Sequence, residues 1–210
     1  MSANSEPIRI LSVDDHPLLR SGISALVAGE PDMKIVSESS NGREAVQQFR
    51  ALRPDITLMD LQMPEMSGLD AIIAIRGEFP DARIIVLTTY AGDIQALRAL
   101  QAGARAYLLK SSVHKELLET IRAVHSGKKT ISPQVSYELA EHATDDALTK
   151  AEVEVLRLIA AGNANKQIAD HLGITEDTVK GRVKNILSKL GANDRTHAAM
   201  IGLKRGIIEL

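Results

Sequence analysis

The stretch Ile8-Arg9-Ile10-Leu11-Ser12-Val13-Asp14-Asp15 decides the fold class of the first part of the chain. It is a short, nearly continuous apolar run that ends in two carboxylates. Such a run is typical of a parallel strand that is covered by helices on both faces. Ile56–Met59 repeats the pattern and ends at Asp60. The two runs predict a parallel sheet with acidic residues at the carboxyl ends of its strands.

The alternation of short apolar runs with helical segments continues to about residue 126. The five predicted strands are Ile8–Val13, Met33–Glu38, Ile56–Met59, Ile84–Thr88 and Ala106–Leu109. The five segments with helical spacing of apolar residues are Leu18–Ala28, Gly42–Leu52, Gly68–Glu78, Asp93–Ala102 and Val113–His125. Five β-then-α units predict an α/β fold with a doubly wound, five-stranded parallel sheet. Ligands of such sheets bind outside the carboxyl ends of the strands.

The pattern changes after residue 126. We predict a loose tail at 1–7, a first domain at 8–126, a linker at 127–146 and an all-α second domain at 147–210. In the second domain, Thr149 and Glu152 have the spacing of a capping box. The four helices predicted there are Lys150–Ala161, Lys166–Leu172, Glu176–Leu190 and Asp194–Arg205.

Composition places limits on the class of protein. Apolar residues make up 44% of the chain, aromatic residues 2%, and there is no cysteine, which excludes disulfides and fits a reducing cytosol. No apolar run approaches the ~20 residues that span a bilayer, and the polar start does not resemble a signal peptide. We therefore expect a cytoplasmic protein without membrane contact. The net charge of -2 combines -3 in residues 1–126, -2 in 127–146 and +3 in 147–210.

Four of the predicted strands end in residues with complementary chemistry. Asp14 and Asp15 follow the first strand, Asp60 the third, Thr88 ends the fourth and Lys110 follows the fifth. A single aspartate at a strand end is commonly only a loop residue, but the joint pattern is more specific. Three clustered carboxylates require a cation, and a hard divalent ion such as Mg²⁺ suits oxygen ligands. Such an ion also neutralises a phosphoryl group that is transferred to a carboxylate.

Other phosphate-binding enzymes do not fit this pattern. The chain has no G-x-x-x-x-G-K-[ST] motif, which excludes a P-loop nucleotidase. A phosphatase of the haloacid-dehalogenase type would carry a second aspartate two positions after its nucleophile, and that position is Gln62.

The strand-end residues, with Met63-Pro64 and Gly68, resemble the receiver domain of response regulators, which has a flavodoxin-like fold. The resemblance implies that Asp60 is the phosphorylated aspartate. It implies Mg²⁺ ligands in Asp15, Asp60 and the carbonyl of Gln62, with Asp14 acting through water. It further implies that Thr88 and Tyr107 are a switch pair, in which Thr88 moves inward and Tyr107 follows, and that Lys110 contacts the phosphoryl group. The reaction would then take place on the protein's own Asp60, so we expect no enzyme that acts on outside substrates.

One helix of the second domain has the pattern of a DNA-reading element. The apolar residues of Glu176–Leu190 fall on one face, whereas Lys180 and Lys184 project together on the other. Exposed lysines alone are usually only solubilising. Leu148–Leu156, Gly162–Ala169 and Ile174–Lys180, however, closely resemble the LuxR-type helix-turn-helix, and with the receiver the match is to the NarL/FixJ family.

This resemblance implies that Glu176–Leu190 is the recognition helix and that Asp194–Arg205 is available for dimer contacts. Two positions depart from the family pattern, Gly181 and Arg182, so the target sequence of a relative does not transfer. The DNA-contacting residues implied are Lys166, Thr178, Lys180, Gly181, Arg182, Lys184 and Asn185.

The sequence thus predicts a two-component response regulator in which phosphorylation controls dimerisation and transcription. Its expected partners are promoter DNA with inverted repeats, a sensor histidine kinase or small phosphodonor, a second copy of the chain and RNA polymerase as a further candidate. Two alternatives remain open: a phosphorelay or protein-binding module without DNA binding, and an RNA-binding antiterminator.

Overall fold

The computed structural model describes residues 6–89, 93–131, 136–137 and 147–208. Most of the tail predicted at 1–7 and of the linker predicted at 127–146 lies outside these ranges. The chain forms two compact units, one built on the sheet and one on the carboxy-terminal helices. None of the described helices is both long and apolar enough to cross a membrane.

The first unit alternates strands and helices as expected. Its strands are β1 (Ile8–Val13), β2 (Met33–Ser39), β3 (Ile56–Asp60), β4 (Ile84–Thr88), β5 (Ala106–Leu109) and β6 (Thr130–Ile131). Its helices are α1 (Pro17–Ala28), α2 (Gly42–Leu52), α3 (Gly68–Glu78), α4 (Asp93–Gln101) and α5 (Val113–His125), the last preceded by a short 3₁₀ turn at Lys110–Ser112. All pairings are parallel, in the order β2-β1-β3-β4-β5-β6. The predicted doubly wound fold is confirmed.

The prediction of five strands was wrong in its count, because the described sheet has six. Thr130 pairs with Ala106 and Ile131 with Tyr107, which extends the sheet beyond β5. This strand lies inside the segment 127–146 that the sequence indicates as a linker. Two residues are too few to show an alternating or continuous apolar pattern, so the strand exists only through its pairing with β5.

The core of the first unit explains why the strands are apolar on both faces. Alternate strand residues, such as Ile10, Leu58 and Ile85, pack with Ile23 of α1 and Leu117 of α5 in one cluster. The residues between them point to the opposite face, where α2 contacts β1 and β2 and also contacts α3. With both faces covered, all five residues of β3 and all five of β4 are buried. In these two central strands, side chains therefore reach solvent only beyond the strand ends.

The second unit consists of α6 (Lys150–Ala160), α7 (Asn165–Leu172), α8 (Glu176–Leu190) and α9 (Arg195–Lys204). The predicted capping box at Thr149 and Glu152 is present. The Thr175 side chain caps α8, and Gly173 ends α7 at φ 64°, a conformation that favours glycine. Val179 and Ile186 of α8 are buried in the core of this unit, with Val183, Leu187 and Leu190 packed against it. The predicted apolar stripe is confirmed.

Candidate functional site

The sheet brings the predicted acidic residues together because β1 and β3 are neighbours. Val13 pairs with Met59, which places Asp14 and Asp60 side by side at the carboxyl edge. Both side chains are almost completely buried, whereas that of Asp15 is 32% exposed. One ligand atom from each of Asp14, Asp15, His16 and Asp60 lies within 4.8 Å of the others. This acidic cluster is consistent with a metal site.

Lys110 lies between the two buried carboxylates. Its Nζ donates a hydrogen bond to Asp60 Oδ2 at 2.7 Å and forms an ion pair with Asp14 Oδ2 at 2.8 Å. Burial alone would lower the pKa of Lys110, but Asp14 and Asp60 outweigh it and raise that pKa. Burial raises the pKa of the Asp60 carboxyl, and Lys110 opposes this shift. Asp60 is therefore a desolvated, basic carboxylate that is paired with one cation.

The donor set fits an additional divalent ion. Asp15 Oδ1 is a buried oxygen that accepts no hydrogen bond, whereas Asp14 Oδ2 lies 2.8 Å from the Lys110 ammonium. A buried carboxylate oxygen without a donor is costly. Hard oxygen ligands of this kind suit a divalent cation of the Mg²⁺ class. The backbone N–H of Gln62 donates to Asp60 Oδ1 at 3.3 Å, so residue 62 borders the cluster.

The predicted switch residues lie next to this cluster and are buried. Thr88 ends β4, and Tyr107 in β5 is completely inaccessible to solvent. Burial raises the pKa of Tyr107 to about 12, even though a hydrogen bond with Thr88 favours its ionised form. The sequence predicts that Tyr107 turns inward when Thr88 moves. The ring is already buried in this structure, in contact with the residue that would move it.

Three residues with a structural role at the cluster carried no assigned role in the sequence analysis. Arg20 of α1 donates from Nη1 to the carbonyl oxygen of Asp14 and pairs with Glu38 at 3.4 Å. The His16 backbone N–H donates to Asp14 Oδ1 at 2.8 Å, and its ring lies 2.7 Å from Asp15. Gly68 packs against the backbone of Asp60 so closely that a β-carbon would overlap it. Only Gly68 had a visible signal, a glycine at the start of a predicted helix.

The second unit presents most of the predicted DNA-contacting residues on its surface. Lys166 lies in the first turn of α7 and is exposed. Also exposed are Thr178, Lys180, Gly181, Lys184 and Asn185 of α8, whereas Arg182 is half-buried. The backbone N–H of Thr178 is used in capping α8, and its hydroxyl lies 2.8 Å from that of Thr175. Nothing lies within 4 Å of a β-carbon built on Gly181, so that position is open.

Family models match both units. Residues 10–122 match the response regulator receiver domain, and residues 146–201 match the bacterial regulatory proteins of the luxR family. The chain is 39% identical over 209 residues to the transcriptional regulatory protein LiaR of Bacillus subtilis (strain 168), covering 96% of this chain and 99% of LiaR.

Solved structures of response regulators are similar to this chain over nearly its whole length. RcsB of Salmonella enterica serovar Typhimurium, bound to promoter P1flhDC in the presence of the phosphomimetic BeF3-, is similar at a TM-score of 0.74 and 26% identity, over 96% of this chain and 100% of that one. A structure of two RcsB dimers bound to two parallel DNAs is similar at a TM-score of 0.72 and 25% identity, over 95% and 99%. The receiver site and the helix-turn-helix are thus found together in one family: this chain belongs to the NarL/FixJ-type two-component response regulators, with a receiver domain followed by a LuxR-type DNA-binding domain.

Proposed function

We propose that Asp60 accepts a phosphoryl group in a Mg²⁺-dependent reaction and that this modification controls DNA binding by the second domain. The observation that carries the proposal is the position of Lys110, whose ammonium joins Asp60 to Asp14 at the edge of the sheet. A cation that already neutralises the acceptor carboxylate is placed to hold a phosphoryl oxygen after transfer.

In the proposed step, an Asp60 carboxylate oxygen attacks phosphorus. The bond from phosphorus to the donor breaks, and an acyl phosphate forms on Asp60. Asp15, Asp60 and the carbonyl of Gln62 would hold Mg²⁺, with Asp14 acting through water. When bound, the ion supplies charge neutralisation for the transferred group. Thr88 and Lys110 would each bind a phosphoryl oxygen. The donor would be a sensor histidine kinase or a small phosphodonor.

The test is incubation of the full chain with a small phosphodonor, with and without Mg²⁺, followed by measurement of the intact mass. One added phosphate is expected only with Mg²⁺, and Asp60→Asn abolishes it. The exposed Asp81 is a matched control, and Asp81→Asn is expected to accept phosphate normally. Undiminished phosphorylation of Asp60→Asn would show that another residue is the acceptor.

For the output, we propose that α8 enters the DNA major groove through Thr178, Lys180, Gly181, Arg182, Lys184 and Asn185, and that Lys166 contacts a phosphate. A helix that offers lysine and asparagine outward from a compact base suits the major groove. The similarity to RcsB bound to promoter DNA supports this assignment.

We further propose that phosphorylation promotes a homodimer that reads an inverted repeat. One module with two or three base-contacting side chains offers limited discrimination, at ~1–3 kcal/mol for each good bidentate contact. A two-fold dimer doubles these contacts and fixes the spacing of the half-sites. The structure of RcsB dimers on DNA supports pairing in this family. A shift of ~1.4 kcal/mol changes the dimerisation constant tenfold.

Sedimentation with and without phosphodonor, paired with footprinting, tests this step. Specific binding by a monomer on a site without two-fold symmetry would contradict it, and absence of any DNA binding would favour a phosphorelay module instead.

We propose a cytoplasmic location and RNA polymerase as a further partner. We also propose the domain boundaries 8–126 and 147–210, with β6 adding residues 130–131 to the sheet of the first domain.

A further inference from the structure

Lys180 of the recognition helix is already paired within its own helix. Its Nζ lies 3.1 Å from Asp177 Oδ1 and 3.5 Å from Glu176 Oε1. The acids precede the lysine by three and four residues, which places all three side chains on one face of the first two turns. The Asp177 side chain is 90% exposed and that of Lys180 56%. The pair is therefore accessible to solvent, on the helix that we propose enters the major groove.

The other two lysines proposed to contact DNA differ from Lys180. Lys184, one turn further along α8, and Lys166 at the start of α7 are exposed. Within the described ranges neither has an ion pair, whereas Lys180 has two. The charges of Lys166 and Lys184 are thus without an ion pair in the described ranges. The charge of Lys180, near the amino-terminal end of the recognition helix, is neutralised.

Glu176 and Asp177 outnumber Lys180 at the end of the helix that is inserted first into the groove in helix-turn-helix proteins. Two carboxylates there repel phosphates, and Lys180 must leave them before it can contact DNA. A carboxylate can also accept a hydrogen bond from the exocyclic amine of cytosine in the major groove. Where a cytosine amine is within reach, a carboxylate of Glu176 or Asp177 gains this hydrogen bond. The free-energy cost of bringing the two carboxylates to DNA is then lower than at a site without such a cytosine.

We propose that Asp177, assisted by Glu176, is a specificity-determining residue that restrains Lys180 and thereby weakens binding to non-cognate DNA. This inference rests on the proposed DNA-binding function. The restraint acts against unspecific phosphate contacts, which every sequence offers equally. On a cognate site, base contacts replace the pairing within the helix and Lys180 becomes available.

If Glu176 and Asp177 had only a structural role, a different experimental result would be expected. Carboxylates in the first turn of a helix interact favourably with the helix dipole, so they stabilise α8 in any case. If that were their whole contribution, Asp177→Asn would lower thermal stability slightly and would not increase affinity for DNA. A gain in DNA binding therefore separates the two roles.

The experiment uses the full chain, phosphorylated with a small phosphodonor, and two duplexes. One duplex is selected from a random pool by the wild-type protein, and the other has mixed sequence without the selected site. We expect Asp177→Asn to bind the mixed duplex ~3-fold to 5-fold more tightly, the range that an exposed ion pair allows. Its salt slope on that duplex should steepen by about one unit, because one more phosphate contact forms. The ratio of the two affinities should fall, and Glu176→Gln should change it in the same direction.

Two further variants make the result decisive. Glu154→Gln removes one exposed negative charge from α6 and is expected to leave both affinities and their ratio unchanged. In a Lys180→Met background, Asp177→Asn should increase affinity for the mixed duplex by much less than in the wild-type background, because only the repulsion between the carboxylate and phosphates is then removed. A gain that is equally large without Lys180, or an effect of Glu154→Gln as large as that of Asp177→Asn, would overturn the proposal. A wild-type protein that selects no duplex from the pool and does not bind the mixed duplex would instead overturn the proposed function itself.

Discussion

Gly68, the first residue of α3, lies directly against the carbonyl group of Asp60. A β-carbon on residue 68 would overlap the Asp60 carbonyl oxygen and approach Leu61 Cα to 2.9 Å, and the Gly68 N–H donates to the Leu61 carbonyl at 3.0 Å. The loop after β3 is therefore held by backbone contacts that only glycine permits at this position. The same contacts set the position of the proposed phosphoacceptor.

We predict that Gly68→Ala destabilises the first domain, because the clash is with backbone and cannot be relieved by a side-chain rotation. Overpacking of this kind costs ~1–3 kcal/mol and occasionally more. Gly77 lies in the same helix with nothing within 4 Å of its β-carbon, so Gly77→Ala should be neutral or stabilising by up to ~1 kcal/mol. Denaturant unfolding of both variants measures the difference. Equal stability of the two would contradict the steric argument.

We predict that Tyr107 ionises only near the top of the accessible pH range, since burial raises its pKa to about 12. The folded protein favours the neutral phenol. This contribution to stability is complete below the unfolded pKa of ~10 and is lost as the pH rises toward the folded value. The difference in phenolate absorbance between wild type and Tyr107→Phe during alkaline titration isolates this residue. A midpoint at the ordinary tyrosine value would contradict the prediction.

A partly buried ion pair connects α6 to the carboxy-terminal end of α8. Lys189 Nζ lies 2.9 Å from Glu152 Oε2, which also accepts from the Thr149 N–H at 2.8 Å. Lys189→Met leaves the buried carboxylate without its cation, and loss of such a partner costs ~1–3 kcal/mol. Lys184→Met in the same helix is the control and should change stability by less than ~0.5 kcal/mol. Thermal unfolding of the two variants is the measurement.

The Glu152 carboxylate also makes the stability of the second domain depend on pH. Burial alone would raise the pKa of Glu152, but the hydrogen bonds from Thr149 and Lys189 outweigh it and lower that pKa. Because the folded pKa is below the unfolded one, the stabilisation is present above the unfolded pKa and is lost as the pH falls through the folded value. Lys189→Met should therefore show a weaker loss of stability between neutral and acidic pH than wild type. An identical pH profile would argue against the pair.

Salt dependence of binding to a mixed-sequence duplex should separate the lysines. We predict that Lys184→Ala and Lys166→Ala each reduce the slope by about one unit, because on DNA without the cognate sequence each of these lysines contacts a phosphate. Lys180→Ala should reduce it by less, since Asp177 and Glu176 already neutralise that charge. Gel shifts over a range of salt concentrations give the slopes. A full unit lost in Lys180→Ala would mean that its pairing within the helix does not persist on DNA.

The sequence by itself determined the parallel sheet, the capping of α6 and the carboxylates and the lysine that meet at the acidic cluster. These follow from local patterns: apolar runs that mark buried strands, a threonine and a glutamate at capping-box spacing, and carboxylates at the carboxyl ends of the first and third strands. Because all strands run in one direction, residues at their carboxyl ends must share one edge. That is why Asp14, Asp60 and Lys110 could be grouped before their distances were known.

Only the tertiary structure decided the contacts between residues that are far apart in sequence. β6 has no pattern of its own and forms because β5 offers an unpaired edge. The burial of Tyr107 beside Thr88, and the close approach of Gly68 to Asp60, depend on how α3 and the strands pack. The pairing of Lys180 with Asp177 is different in kind. Helical spacing permits it, but whether a flexible lysine turns toward its own helix or toward solvent is set by the geometry of the folded surface.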